Sequence, residues 1–267
     1  MSVINNQTEK EFRDKQNTFG HLHNGADLEY WLKQTYYAGS IRELRYRTIV
    51  NDFLETGKHN LNVLEIAAGV GDFIAYCAKL HPLNNYYANE LSENLLKNNI
   101  EKVSGFFGVE KLPKMFFGEV EKINQPDNFF DVIFIKASVH HFENPGKAFE
   151  EIHRILKPKG KVVFFEDPVC LNIPVYRYFV KKNFSLYERS LGINEHIYTV
   201  PEYFLFGKLF SNKDLVIDKI LIKDFDEHQK IRKGIKKIIF SVIRGVDQLF
   251  FYYMVYRFSP VIFVFTK

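Results

Sequence analysis

This sequence predicts an α/β fold built on a doubly wound, mostly parallel sheet, and three observations carry that expectation. Between residues 61 and 166, short apolar segments alternate with longer segments of helical pattern, the rhythm of parallel strands joined by crossover helices. The segment Phe130-Asp131-Val132-Ile133-Phe134-Ile135 is mostly apolar, as a strand covered on both faces must be. The run Val63-Leu64-Glu65-Ile66-Ala67-Ala68-Gly69-Val70-Gly71-Asp72 passes from an apolar strand through small residues into a helical pattern. That is how a strand hands a polar ligand to the N–H groups of a helix start.

Residues 1–26 are polar and irregular, and 27–57 read as helix in two pieces broken near Gly39 and ended by Gly57. Strands are expected at 61–66, 85–89, 114–117, 130–135 and 161–166, with helices at 72–80, 92–103 and 145–156 between them. Ser92 has the character of a helix N-cap. In Lys157-Pro158-Lys159-Gly160, Pro158 stops a helix, Gly160 turns into the next strand, and the lysines read as solvated. After Pro168 the rhythm changes. Helices are expected around 175–189 and 201–210, a strand at 215–222, a long helix at 229–254 and a last strand at 260–266. This divides the chain into an N-terminal helical cap segment, 1–57, and a domain, 58–267, with a substrate cap inserted at 169–213.

Composition narrows the class. With 46% hydrophobic residues over 267 positions, the chain can bury one large core. A net charge of +4 is too weak to imply nucleic acid without a local basic patch. Cys77 and Cys170 are too few for a disulfide scaffold and read as free buried thiols. No Cys/His cluster has zinc spacing, so no metal is expected. The polar start Asn5-Asn6-Gln7-Thr8-Glu9-Lys10 is not a signal peptide, and no apolar run is long enough to span a bilayer. A reducing cytoplasm is the expected setting.

Ligands of open α/β sheets lie beyond the carboxyl ends of the strands, so the residues there are the candidates. Gly69 and Gly71 leave no Cβ between backbone and ligand. A dinucleotide fingerprint would need a third glycine where Ile74 or Asp72 stands, which argues against a nicotinamide-dependent oxidoreductase. Glu90, with Leu91 behind it, follows the second strand about 20 residues beyond the glycine loop, where a carboxylate accepts from both ribose hydroxyls. Glu119 and Val120 follow the third strand, where an acid and a backbone N–H suit an adenine; a plain surface acid is the alternative for Glu119. Lys136-Ala137-Ser138-Val139-His140-His141-Phe142 follows the fourth strand and Glu166-Asp167-Pro168 the fifth.

The pattern Glu65-x-Ala67-x-Gly69-x-Gly71, then Phe130 to Ile133, His140-His141-Phe142 and Ala148 through Lys161, resembles the motif regions of class I S-adenosylmethionine-dependent methyltransferases. The small-molecule type, with the quinone-pathway C-methyltransferases, is the nearest in style, and the likeness covers roughly residues 60–168. Ala67 stands where that family more often has Gly. The resemblance implies a Rossmann-like seven-stranded sheet whose last strand, here 261–266, inserts antiparallel, and S-adenosyl-L-methionine as methyl donor. It implies that Glu65, Ala67, Ala68, Gly69 and Gly71 hold the methionine end, Glu90 and Leu91 the ribose, and Glu119 and Val120 the adenine, with Lys136 and Ala137 lining the path to the methionine moiety. A protein that binds the donor without catalysis is the alternative.

His140 or His141 is the candidate general base for a hydroxyl or an acidic carbon, because an imidazole titrates near pH 6.5; packing at a helix terminus is the alternative for both. Nucleobase amino-group enzymes carry an Asp/Asn-Pro-Pro-aromatic turn where this chain has Lys136-Ala137-Ser138-Val139, so a small-molecule acceptor is expected and a nucleic acid is not. His196 and Tyr198, in a polar loop before Pro201, are candidate acceptor contacts. Tyr30, Trp31, Tyr36 and Tyr37 form an aromatic group that serves either as core or as binding wall. The segment 229–254 combines helically spaced apolar residues with Lys230, Arg232, Lys233, Lys236 and Lys237. It either packs on the sheet with a solvated basic face, the simpler reading, or meets an anionic membrane surface that presents a lipid-linked or glycan-pathway intermediate. Oligomeric state is not legible.

Overall fold

The computed structural model describes residues 27–54, 59–170, 196–220 and 261–267, together with Lys10, Glu11 and Asp14. The helices expected at 175–189 and 229–254, about half of the cap segments and the end of the second N-terminal helix lie outside the described residues.

Two N-terminal helices, α1 (Leu28–Tyr36) and α2 (Ile41–Leu54), flank Gly39 as expected. Asp27 caps α1 by accepting from the Glu29 N–H at 2.9 Å. Then come β1 (Asn62–Ile66), α3 (Asp72–Leu80), β2 (Asn85–Glu90), α4 (Glu93–Phe107), β3 (Lys114–Phe117), β4 (Phe130–Lys136), α5 (Pro145–Ile155) and β5 (Leu156–Phe165). Ser92 does cap α4, accepting from Leu95 N–H at 3.2 Å. The remaining described elements are β6 (Val169–Cys170), β7 (Tyr198–Thr199), α6 (Val200–Phe206), β8 (Asn212–Ile217) and β9 (Val261–Thr266).

The seven-stranded sheet runs β3-β2-β1-β4-β5-β9-β8. β1 pairs in parallel with both β2 and β4, so strand order reverses beside β1 and opens a crevice there. β9 is antiparallel to β5 and to β8, the arrangement implied for the last strand. Alternate residues feed two cores. Val63, Phe134, Val163 and Phe165 pack with α2, α3 and α4 on one face, and Leu64, Ile133, Val162 and Phe164 with α5 and α6 on the other. Burial on both faces explains the continuous apolar strands.

Three expectations change. β5 begins at Leu156, not 161: Leu156 pairs with Phe130, the register shifts, and the ladder resumes at Val132 and Lys161. Residues 157–160 therefore form an irregularity within the strand, and Lys157 pairs with Asp131 at 2.7 Å rather than being simply solvated. β8 occupies Asn212–Ile217 instead of 215–222 because Asn212 and Lys213 already pair with Thr266 and Phe265, while Asp218 leaves the ladder for a buried cation. The N-terminal aromatics divide. Tyr36 is core, Trp31 packs against its edge, and Tyr30 and Tyr37 are exposed at 61% and 56%.

One packing constraint gives a direct check. A Cβ on Gly207 would lie 2.2 and 2.5 Å from ring carbons of Phe265, which is wholly buried, whereas one on Gly146 meets only the Asn144 Oδ1 at 3.4 Å. Gly207→Ala should cost about 1–3 kcal/mol by urea unfolding, the range for overpacking. Gly146→Ala should stay within about 0.5 kcal/mol. Equal effects would contradict the seating of α6 on β9.

Candidate active site

The glycine loop is fastened to the two strands beneath it. Glu65, 1% exposed, accepts from the Ile74 N–H at 2.9 Å and so ties β1 to the first turn of α3. Burial pushes its carboxyl up to about 8, against the pull of Lys136. Ala68 N–H donates to the Asn89 carbonyl at 3.0 Å. Gly71 is the α3 N-cap at φ 81, and a Cβ there would fall 2.3 Å from Ile100 Cδ1. Gly69, at φ 57, has no heavy atom within 4 Å of its Cβ direction, so the loop faces open space on that side. Ala67 adopts φ 53 and meets the demand that a glycine meets more cheaply.

Glu90 is woven into the same loop. One oxygen accepts from Gly69 N–H at 2.7 Å, and the other from Leu91 and Ser92 N–H at 2.9 and 3.1 Å. The expected ribose acid thus also shapes the loop, and hydroxyl donors reaching it would share its oxygens with these amides. Leu91 contributes its backbone to this bracing. At the end of β3, Glu119 is exposed, while Val120 is 8% exposed and belongs to the core under the α5 face.

Lys136, at the end of β4, has its side chain 15% exposed. Its Nζ donates to Asp72 Oδ2 at 2.6 Å, with the Tyr46 and Phe73 rings 5.6 and 5.7 Å away. Tyr36 O–H donates to the same oxygen at 2.5 Å. Burial alone would lower the Lys136 ammonium, but Asp72 and Glu65 together hold it raised. Ala137 follows at φ 49, its N–H on the Phe165 carbonyl at 2.8 Å. The pairing of Asp72 with Tyr36 was missed by sequence reasoning, which took Asp72 only as a helix start.

Beyond Ala137 the chain forms a short 3-10 helix, Val139–His141. His140 is 6% exposed, and its Nδ1 lies 2.7 Å from Asp167 Oδ1, which also accepts from the His140 N–H at 3.2 Å. Asp167 is 2% exposed, and its Oδ2 meets no hydrogen-bond partner among the described residues. Burial pushes this carboxyl up to about 8, opposed by the amides of His140, Val139 and Ser138. The His141 ring stacks obliquely on His140, centroids 4.0 Å apart. His196 N–H donates to the His140 carbonyl at 2.9 Å, and its ring stacks with Tyr198 at 5.7 Å. The structure therefore brings both adjacent histidines, His196 and Tyr198 to one place. Asp167 was legible only as a residue after the fifth strand.

This arrangement can hold and move a proton. With Asp167 ionised, Nδ1–H of His140 donates to it and the imidazole is basic at Nε2. While the pair holds one proton more, that basicity is blocked, and the raised carboxyl keeps the extra proton up to about pH 8. Among the described residues no group of three or more His, Cys, Asp or Glu side chains is arranged to hold a metal.

The same burial makes a stability prediction. Glu65 and Asp167 bind a proton more tightly folded than unfolded, so their stabilising contribution is complete below the usual carboxylate range, near pH 4, and is lost as pH rises through about 8. Asp167→Asn removes one of these groups. Urea unfolding at pH 5 and pH 8 should show a smaller loss of stability over that interval than in the parent; an unchanged loss would contradict the burial of an ionisable Asp167.

Residues 64–164 match the methyltransferase domain family. The glycine/sarcosine/dimethylglycine N-methyltransferase of Actinopolyspora halophila is 31% identical over 161 residues, 59% of this chain but 27% of that protein. The demethylmenaquinone methyltransferase of Bacteroides fragilis is 26% identical over 185 residues, 68% of each chain. The chain thus spans about a quarter of the first relative and two thirds of the second. In fold it is similar to Haemonchus contortus phosphoethanolamine N-methyltransferase 2, solved with phosphomonomethylethanolamine and S-adenosylhomocysteine. The TM-score is 0.60 at 16% identity, covering 99% of this chain and 60% of that one. Over residues 64–164 the sheet order, the glycine loop and the family match agree on a methyltransferase domain.

Proposed function

We propose that this protein transfers the methyl group of S-adenosylmethionine to an oxygen or carbon atom of a small molecule, with His140 as general base. The observation that carries the reading is the His140–Asp167 pair, 2.7 Å apart at the same sheet end as the glycine loop. When bound, the donor supplies a methyl group made electrophilic by its sulfonium. The chain's part is alignment, exclusion of water and removal of a proton from the acceptor. Residues 67–71 and Glu65 are assigned to the methionine end, Glu90 to the ribose, and Glu119 with the Val120 backbone to the adenine. The open space at Gly69 and the carboxylate next to it fit that donor.

A base matters for a hydroxyl or an acidic carbon, since each must lose a proton; a neutral amine already carries its lone pair. The buried His140 pair therefore favours an acceptor of the quinone-pathway kind, as in the Bacteroides relative, over the amine acceptors of the Actinopolyspora relative. His196 and Tyr198 are assigned to the acceptor, an assignment supported by the His196 backbone bond to the His140 carbonyl and by the stacking of the His196 and Tyr198 rings. Among the described residues no helix is long and apolar enough to cross a membrane. The free buried Cys77 supports a reducing, cytoplasmic setting. If 229–254 meets a membrane surface, a lipid-linked acceptor is served there.

The test pairs two variants. Gly69→Val places a branched side chain in the open space of the loop and should abolish S-adenosylhomocysteine binding by calorimetry. His140→Gln should keep that binding and lower turnover about 10²–10⁴-fold, the usual worth of a general base. In the parent, turnover should rise with pH through about 8 as the His140–Asp167 pair gives up its extra proton. Undiminished binding in the first variant would remove the donor assignment, and undiminished turnover in the second would remove the base.

A further inference from the structure

Helix α2 lies outside the matched region, yet two of its consecutive residues reach the carboxyl end of β5. Arg45 Nη1 donates to Glu166 Oε1 and Tyr46 O–H to Glu166 Oε2, each at 2.9 Å. The Arg45 Nε also donates to Asp218 Oδ2 at 2.6 Å, just beyond β8. The three charged side chains are 7%, 16% and 5% exposed in the order Arg45, Glu166, Asp218. Tyr46 is wedged between the Phe73 and Phe165 rings, with centroids 5.4 and 6.0 Å away. Both oxygens of Glu166 are thus gripped from a helix that takes no other part in the proposed chemistry.

The grip falls on a strained residue. Glu166 has φ 63, in the left-handed region, where a residue with a Cβ is strained. From Lys161 the ladder is regular up to Phe165, whose carbonyl accepts from Ala137 N–H at 2.8 Å, and Glu166 is where the chain turns. The next residue is Asp167, which that turn delivers to the amide of His140 and to its Nδ1. An extended φ at residue 166 would redirect the Asp167 carboxyl.

We propose that Arg45 and Tyr46 are positioning residues for His140, acting through the left-handed turn at Glu166 that sets Asp167 against the imidazole. The proposal rests on the reading of His140 as the base. It makes the N-terminal helix a working part of the site, and it explains why a buried Arg is placed where Glu166 and Asp218 both require a cation.

The test reads the imidazole directly, in protein without ligand. The Nδ1 proton held between His140 and Asp167 should give a downfield proton resonance, identified by its loss in His140→Gln and in Asp167→Asn. Tyr46→Phe removes one of the two grips without changing charge. It should shift or broaden that resonance and lower turnover on the order of 10-fold, within the range for small misplacement, while S-adenosylhomocysteine affinity changes less than about 2-fold. Glu166→Ala keeps the strain and loses the grip, whereas Glu166→Gly tolerates the same φ without it. Glycine should therefore retain more of the resonance and of the turnover than alanine. An unaltered resonance and turnover in Tyr46→Phe, or glycine no better than alanine, would overturn the proposal. Absence of the resonance in the parent protein would instead remove the His140–Asp167 pair on which the base reading stands.

Discussion

Acids gathered at the carboxyl end of the sheet must find partners, and much of the structure is arranged to supply them. Glu65, Asp72, Glu90, Asp167 and Asp218 are all under 9% exposed, and Glu166 is only slightly more open. An uncompensated buried charge costs several kcal/mol, so each needs a donor or keeps its proton. Asp72 takes Lys136 and Tyr36, Glu166 and Asp218 share Arg45, and Glu90 takes three backbone amides. Glu65 and Asp167 meet the demand differently, with carboxyls raised to about 8. The requirement reaches well beyond the matched region, since Tyr36, Arg45 and Tyr46 come from α1 and α2. The N-terminal helices are held to the sheet by this polar network as well as by aromatic packing.

The backbone at this edge carries its own constraint. The neighbouring strands β1, β4 and β5 are each followed by a residue with left-handed φ: Ala67 at 53, Ala137 at 49 and Glu166 at 63. Such conformations persist only where the surroundings over-determine them, and they gather at functional sites. Here they turn three adjacent chains away from the sheet at one level. The glycine loop, the 3-10 helix bearing the histidines and the Asp167 segment consequently leave the sheet at the same end.

What was legible in the sequence was local. The spacing of Gly69 and Gly71, the apolar run of β4 and the helix pattern after Asp72 each depend on a few neighbouring residues, and the strands and helices up to residue 155 follow closely from them, whereas the start of β5 at Leu156 does not. Ser92 could be read as a cap because capping acts over three residues. The site's polar wiring was not legible, because it joins positions far apart: Tyr36 to Asp72, His140 to Asp167, Arg45 to both Glu166 and Asp218. Lys136 could be placed at a strand end, but its depth and its partner depend on which helix covers that end. The start of β8 was misplaced for a similar reason, since only pairing with β9 shows that Asn212 and Lys213 belong to the ladder.

The central claim is that donor loop and base serve one reaction, and a crystal structure of the S-adenosylhomocysteine complex tests it most directly. The account predicts the homocysteine portion along residues 67–71, the ribose beside Glu90, and the sulfur turned toward the ring of His140. A ligand bound elsewhere, or bound in the loop with its sulfur directed away from His140, would contradict it.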